Sequence, residues 1–261
     1  MKKTIISILK AIGLYKVYTE YKFKQLEKKN QKEDEKHFQP RLEFYSNIVS
    51  KGQLVYDVGA NVGNRVNVLL AIGARVVAVE PQKNCIETLH KKFGDRIDVV
   101  GMGLGAEESE KDLYIADYST ISSMAEDWIE SVKQSRFKQH NWEKKEKVKI
   151  TTLDKLIEKF GLPQFCKIDV EGYEVEVLKG LHQPIPVISF EYTVPEQNQK
   201  LAECLRLCQS LSPDYLFNYS VGEGMVYELD NFIPFDSFIQ HVATDGFIKT
   251  GFGDIYVKLS R

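Results

Sequence analysis

The chain has 261 residues, 43% hydrophobic and 28% charged, enough for one sizeable α/β domain and an appendage. Its formal net charge is −2 with the two signs interspersed, which argues against a global basic field for nucleic acid. Four cysteines (Cys85, Cys166, Cys204, Cys208) lack C-x-x-C spacing, which disfavours zinc or a disulfide framework and reads as reduced thiols in a cytoplasmic protein.

In residues 1–23, Ile5, Ile8, Leu9, Ile12 and Tyr15 share one helical face, with Lys3 and Lys10 opposite. The apolar run is too short for a secretory leader or a membrane span. Such a helix either packs on the protein, as in a homo-oligomer, or lies peripherally on a membrane surface. Residues 24–37 read as a solvated helix or linker. After Pro40, Leu42, Tyr45, Ile48 and Val49 supply the apolar face of another helix. We therefore expect an N-terminal helical extension over 1–50 and a main domain over 51–261, with an insertion near 117–147.

The main domain opens with a buried strand, Leu54–Val58, a turn Gly59-Ala60-Asn61-Val62-Gly63, and a helix carrying Val66, Leu69 and Leu70 to Gly73. A second strand, Arg75–Val79, ends on Glu80 and Pro81. Strand, glycine turn, helix and a strand ending in a carboxylate form the unit that binds adenosine-containing cofactors. Gly59 and Gly63 allow close backbone approach to a ligand. Glu80 falls where a ribose-binding acid is expected. A dinucleotide turn wants G-x-G-x-x-G, whereas Asn61 and Asn64 stand at its second and third glycine positions. Asp57, just before the turn, would repel a pyrophosphate but suits an amino-acid moiety.

The alternation continues through a helix with Ile86, Leu89 and Phe93, a strand Ile97–Val100, and the loop Gly101-Met102-Gly103, where adenine is expected. Leu113–Ile115 reads as a short strand, and Ser119–Met124 as a small, hydroxyl-rich loop. Residues 133–147 lack an apolar period and read as an exposed insertion. Val148–Thr152 is a strand, Asp154–Phe160 a helix, and Phe165–Val170 a buried strand leading into Asp169-Val170-Glu171-Gly172. A helix over 172–181, a strand Val187–Tyr192 containing Glu191, a helix over 197–211 and strands Tyr215–Tyr219 and Asp254–Leu259 complete the domain.

In order, YDVGANVG, AVEP, GLG, SS, TTLDKL, KIDVEGYEVEVLKG and ISFEY resemble the FkbM-type family of S-adenosylmethionine-dependent methyltransferases over roughly Val55–Tyr192. The resemblance implies an α/β, doubly wound, mostly parallel seven-stranded sheet (Rossmann-like, class I methyltransferase), with the last strand antiparallel beside the fifth. It also implies O-methylation of a hydroxyl on a sugar, glycan or secondary metabolite. S-adenosylmethionine would meet Asp57, Gly59, Ala60, Asn61, Gly63 and Asn64 at its methionine end, Glu80 and Pro81 at the ribose, Met102 and Gly103 at adenine, and Asp169 near the sulfonium. Ser122, Ser123 and Glu191 are the expected acceptor contacts.

A sulfonium is already a reactive methyl donor, so the protein has to align a hydroxyl and accept its proton. Asp169 and Glu171 are the candidate bases, and a helix N-cap is the bland alternative for Asp169. Two carboxylates, even with Glu191 as a third, do not define a metal site, and no metal is expected. The competing functions are a silent donor-binding module and a nicotinamide oxidoreductase. Amino methylation of adenine or cytosine is disfavoured, because Asp169–Gly172 lacks the amide-plus-aromatic motif used at that strand end.

Overall fold

The computed structural model describes residues 35–116, 119–142 and 144–260. The amphipathic face in residues 1–23, and with it the membrane or oligomer contact, lies outside them. The chain divides into two compact units, Met1–Pro40 and Arg41–Arg261. Of the first, residues 35–40 are helical. The second begins with helical residues 41–46 (α1), and its core takes in Phe44, Tyr45 and Val49.

Five parallel strands form the centre of the main sheet: β1 (Leu54–Val58), β2 (Arg75–Val79), β3 (Asp98–Val100), β7 (Phe165–Ile168) and β8 (Val187–Thr193). Between them run helices α2 (Asn64–Ile72), α3 (Lys83–Phe93), α5 (Leu153–Phe160) and α6 (Glu174–Lys179). After α7 (Asn198–Leu211) come β9 (Tyr215–Val221), the two-residue β10 (Ile233–Pro234), α8 (Phe235–Val242), α9 (Asp245–Ile248) and β11 (Phe252–Leu259). The order is β3-β2-β1-β7-β8-β11-β9-β10, with β11 antiparallel to both neighbours. This is the expected sheet, extended by β10 at one edge. Strands covered on both faces read as continuous apolar runs, and β1 and β7 are buried throughout. Each carries one charged exception, Asp57 and Lys167, paired in register.

Order reverses between β1 and β7, so the carboxyl ends of these strands open a crevice where ligands bind in open α/β sheets. α2 is flanked by Gly63 as N-cap and Gly73 as C-cap, and the left-handed φ of 89° at Gly73 lets its N–H reach the Leu69 and Leu70 carbonyls. All four cysteines are free and buried, as small hydrophobes. Among the described residues, no helix is long and apolar enough to cross a membrane.

A second sheet joins β4 (Gly103–Leu104), β6 (Lys144–Thr151) and β5 (Ser109–Ile115), in that order. Between β5 and β6 lies α4 (Glu126–Gln134). Most described residues over 133–147 are exposed, as expected, but Trp142 and the start of β6 depart from an exposed loop. Trp142 is buried, donates from Nε1 to the Ile121 carbonyl at 2.7 Å, and packs with Trp128 in a small satellite core. Lys144 already belongs to β6, where Lys144 and Glu146 share the face of Val148 and Ile150 and so hide the first half of the strand's alternation.

Candidate active site

The glycine turn is fixed by protein groups on every side. The N–H groups of Gly59 and Ala60 donate to the Val79 carbonyl at 2.9 and 3.1 Å. Gly59 has φ 84°, and a Cβ there would lie 1.8 Å from the Asp169 carbonyl oxygen. At Gly63 a Cβ would meet the Phe93 ring at 2.3 Å. Both glycines thus answer to neighbouring protein, the β7 end and α3, where the sequence suggested only ligand approach. Asn61 is left-handed too, at φ 48°, and Asn64 opens α2 half-buried.

Glu80 faces the same turn. Its carboxylate accepts from the Asn61 N–H at 2.9 Å and the Gln82 N–H at 2.8 Å, tying the turn to the β2–α3 junction. Burial pushes its pKa up to about 7 against those two donors. The Gln82 side chain adds a third hydrogen bond, which leaves the carboxylate room for a further donor such as a ribose hydroxyl. Pro81 and Met102 are half-buried nearby in sequence, whereas Gly103 is buried in β4 against Ile150 and Met124.

Asp57 is 2% exposed, and its Oδ2 has no hydrogen-bond partner. Burial raises its pKa to about 6, opposed first by the Arg65 charge and then by Lys167. A buried carboxyl oxygen without a partner is costly unless a ligand completes it. This fits a cofactor with a cationic amino-acid end.

Asp169, at the end of β7, accepts from Lys167 Nζ at 3.1 Å and lies 3.4 Å from Arg65 Nη1. Lys167 is 1% exposed and also reaches Asp254 Oδ1 at 3.1 Å. Arg65 extends the network to Glu223 at 3.4 Å, which in turn meets Arg41 at 3.2 Å. Burial opposes ionisation of Asp169, but Lys167 and Arg65 outweigh it and hold the pKa below the usual range. Asp169 is also not a helix cap: α6 starts at Glu174 with Tyr173 as its N-cap residue, and the Glu174 carboxylate takes the Val170 and Gly172 N–H groups.

Glu171 sits in that turn at φ 54°. Burial and then Asp169 and Glu174 push its carboxyl well above the ordinary value. Glu191, near the end of β8, is raised as well by burial and by Glu171. Asp169, Glu171 and Glu191 each offer an oxygen within 4.8 Å of the others, a span one cation could bridge. Ser122 and Ser123 do not join them. Ser122 Oγ accepts from the Ala116 N–H at 3.1 Å, and Ser123 Oγ donates to the Glu171 carbonyl at 2.6 Å while accepting from Ala125. Both are buried: Ser122 closes the loop onto Ala116, and Ser123 braces the insertion against the Glu171 turn.

Sequence reasoning missed Arg41, Arg65, Lys167, Glu223 and Asp254. Of these, Lys167 alone left a local signal, a single charge inside the apolar run Phe165–Ile168.

Several solved structures are similar to the chain at low identity. The plantazolicin methyltransferase BpumL, in complex with SAH, is 9% identical, with 95% of this chain and 91% of that one covered and a TM-score of 0.44. A precorrin-6y C5,15-methyltransferase from Geobacter metallireducens is 11% identical, with 84% and 86% covered and a TM-score of 0.43. A TehB-like SAM-dependent methyltransferase from Corynebacterium glutamicum is 10% identical, with 85% and 88% covered and a TM-score of 0.43. No curated protein matches the chain. The methyltransferase FkbM domain matches residues 57–220, from Asp57 in the first strand to Ser220 in β9. With well over half of its length matched, the chain belongs to the FkbM methyltransferase domain family.

Proposed function

We propose that the protein uses S-adenosylmethionine to methylate a hydroxyl oxygen of a sugar, glycan or secondary metabolite. One observation carries the reading: Asp169, Glu171 and Glu191 converge at the carboxyl ends of β7 and β8, beside the Gly59 turn. When bound, the donor supplies an electrophilic methyl group on a cationic sulfur. Glu80 accepts hydrogen bonds from the ribose hydroxyls, and the Asp57–Gly63 turn receives the methionine end. Asp169, kept ionised by Lys167 and Arg65, faces the sulfonium charge. Glu171, a stronger base in its acidic surroundings, would take the acceptor's proton as the methyl passes from sulfur to oxygen, the sulfur–carbon bond breaking and S-adenosylhomocysteine leaving. Glu191 orients the hydroxyl.

The test supplies methyl-labelled S-adenosylmethionine, purified protein and a pool of hydroxylated metabolites and glycans, with products read by mass spectrometry and NMR. Label in an O-methyl group supports the reading. Label on nitrogen or carbon contradicts the acceptor chemistry. Donor binding without transfer to any member of the pool favours a silent module.

A further inference from the structure

A small pocket opens between α4 of the insertion, the Gly172 turn, the end of β8 and the start of α7. Trp128, Glu174, Glu191, Gln197 and Lys200 supply its polar lining. Glu191 belongs both to this pocket and to the cluster with Asp169 and Glu171. Lys200, Gln197 and Glu174 already have partners in the protein. Lys200 donates to Asp127 at 2.9 Å and to the Gly172 carbonyl at 2.8 Å, and Gln197 Nε2 donates to Ser131 Oγ at 3.2 Å. Glu174 accepts from the Val170 and Gly172 N–H groups at 3.1 and 3.2 Å. Trp128 differs. It is 2% exposed, and Nε1, its one polar atom, has no hydrogen-bond partner, whereas Trp142 Nε1 donates to Ile121. A Cβ on Gly172 would lie 2.5 Å from Trp128 Cδ1, the carbon bonded to Nε1, so this open donor stands beside the Glu171–Gly172 turn.

A buried donor without a partner is costly unless a ligand completes it. The pocket holds about 20 Å³, room for one water-sized group. An indole N–H only donates and a carboxylate only accepts, so the group that completes both must accept from Trp128 and donate to Glu191. An ammonium would set donor against donor at Trp128 and bring a cation to Lys200. A carboxylate or phosphate would face Glu174 and Glu191. A hydroxyl satisfies both sides. We propose that Trp128 Nε1–H and Glu191 together hold a second hydroxyl of the acceptor, beside the one being methylated, so that the site selects a vicinal diol of the kind a sugar presents. One carboxylate reaching two hydroxyls suits adjacent carbons, because its two oxygens are fixed close together. The assignment rests on the O-methylation reading above and narrows its acceptor from any hydroxyl to a diol. It also gives the insertion a part in recognition, since α4 carries the donor to the carboxyl end of β8.

The experiment follows transfer from methyl-labelled S-adenosylmethionine to methyl glycosides of hexoses and pentoses, to their monodeoxy counterparts, and to simple alcohols and phenols. Wild-type protein should lose at least about tenfold in kcat/KM when the hydroxyl adjoining the methylated one is removed. Trp128→Phe keeps a ring against Gly172 and gives up no hydrogen bond within the protein. It should raise KM for the parent glycoside about tenfold, leave kcat within about threefold, and bring the parent level with its deoxy counterpart. A second readout serves if that variant fails to fold. The chain has two tryptophans, so the nitrogen-labelled protein gives two indole N–H signals. With S-adenosylhomocysteine bound, the parent glycoside should move the Trp128 signal, its deoxy counterpart should not, and the Trp142 signal should stay in place. Equal wild-type kcat/KM for parent and deoxy acceptors overturns the diol assignment, as does faster transfer to phenols or isolated alcohols. A Trp128 signal that no methylated glycoside moves also overturns it and leaves the pocket to water. Each of these results leaves O-methylation standing as long as label reaches an oxygen. Absence of O-methyl product from every acceptor overturns the O-methylation reading and this assignment with it.

Discussion

Asp169 and Glu171 stand two positions apart, and their surroundings drive them in opposite directions. Lys167 and Arg65 hold the Asp169 carboxyl below its ordinary range, whereas burial and neighbouring acids push the Glu171 carboxyl up and make its carboxylate the stronger base. Asp169→Asn should therefore cost stability, about 1–3 kcal/mol, because it withdraws a partner from a buried lysine. Glu171→Gln should leave the melting midpoint nearly unchanged and lower turnover about 100-fold or more. Thermal melts beside initial rates separate the two, and a silent Glu171→Gln would return the base to Asp169. The raised carboxyls at Asp57 and Glu80, at about 6 and about 7, give a pH dependence of known sign. Donor binding needs both ionised, so affinity is low when they are protonated and rises with pH through these values. S-adenosylhomocysteine should bind roughly tenfold more tightly at about pH 7 than at about pH 5 from Asp57 alone. Flat affinity across that range would place the ammonium elsewhere. The glycines and terminal carboxylates of this site were readable because local turns demand them. Arg65 and Asp254 were not, since Lys167 and Asp254 meet across 87 positions.

At the scale of elements, the Glu171 turn is held from outside the main sheet. Gly172 has φ 86°, and a Cβ there would lie 2.4 Å from the Trp128 indole of α4. Ser123 clasps the Glu171 carbonyl from the same insertion. Gly172→Ala thus meets both a left-handed backbone and a closed wall, and should destabilise by about 2–4 kcal/mol. Chemical denaturation measures it, and a cost below about 1 kcal/mol would mean that α4 yields easily. The insertion's contribution was poorly legible in the sequence. In its β6, Lys144 and Glu146 on the face of Val148 and Ile150 mask a period-2 pattern, and Trp142 is buried by a satellite core that no single segment announces. Strands buried on both faces, by contrast, declared themselves through unbroken apolar runs.

For the whole molecule, the unit from Arg41 onward contains the complete sheet and every candidate site residue. Deleting residues 2–23 should accordingly leave S-adenosylhomocysteine affinity within about twofold. The same deletion tests the amphipathic face: loss of binding to anionic lipid vesicles would support a peripheral membrane contact, and unchanged vesicle binding would remove it. The order of motifs made the doubly wound sheet legible, because each β–α crossover repeats the same right-handed return, whereas the antiparallel last strand came only from the family resemblance. The added β10 was not legible, being two residues paired only to an edge.

The central claim is that the Asp57–Gly63 turn with Glu80 receives a methyl donor and not a dinucleotide. A calorimetric titration of the purified chain with S-adenosylhomocysteine and, separately, with NAD tests it most directly. S-adenosylhomocysteine should bind saturably, weakened by Glu80→Ala by about 1.5–3 kcal/mol through lost hydrogen bonds to ribose, with no comparable binding of NAD. Saturable binding of NAD without any response to S-adenosylhomocysteine would contradict it.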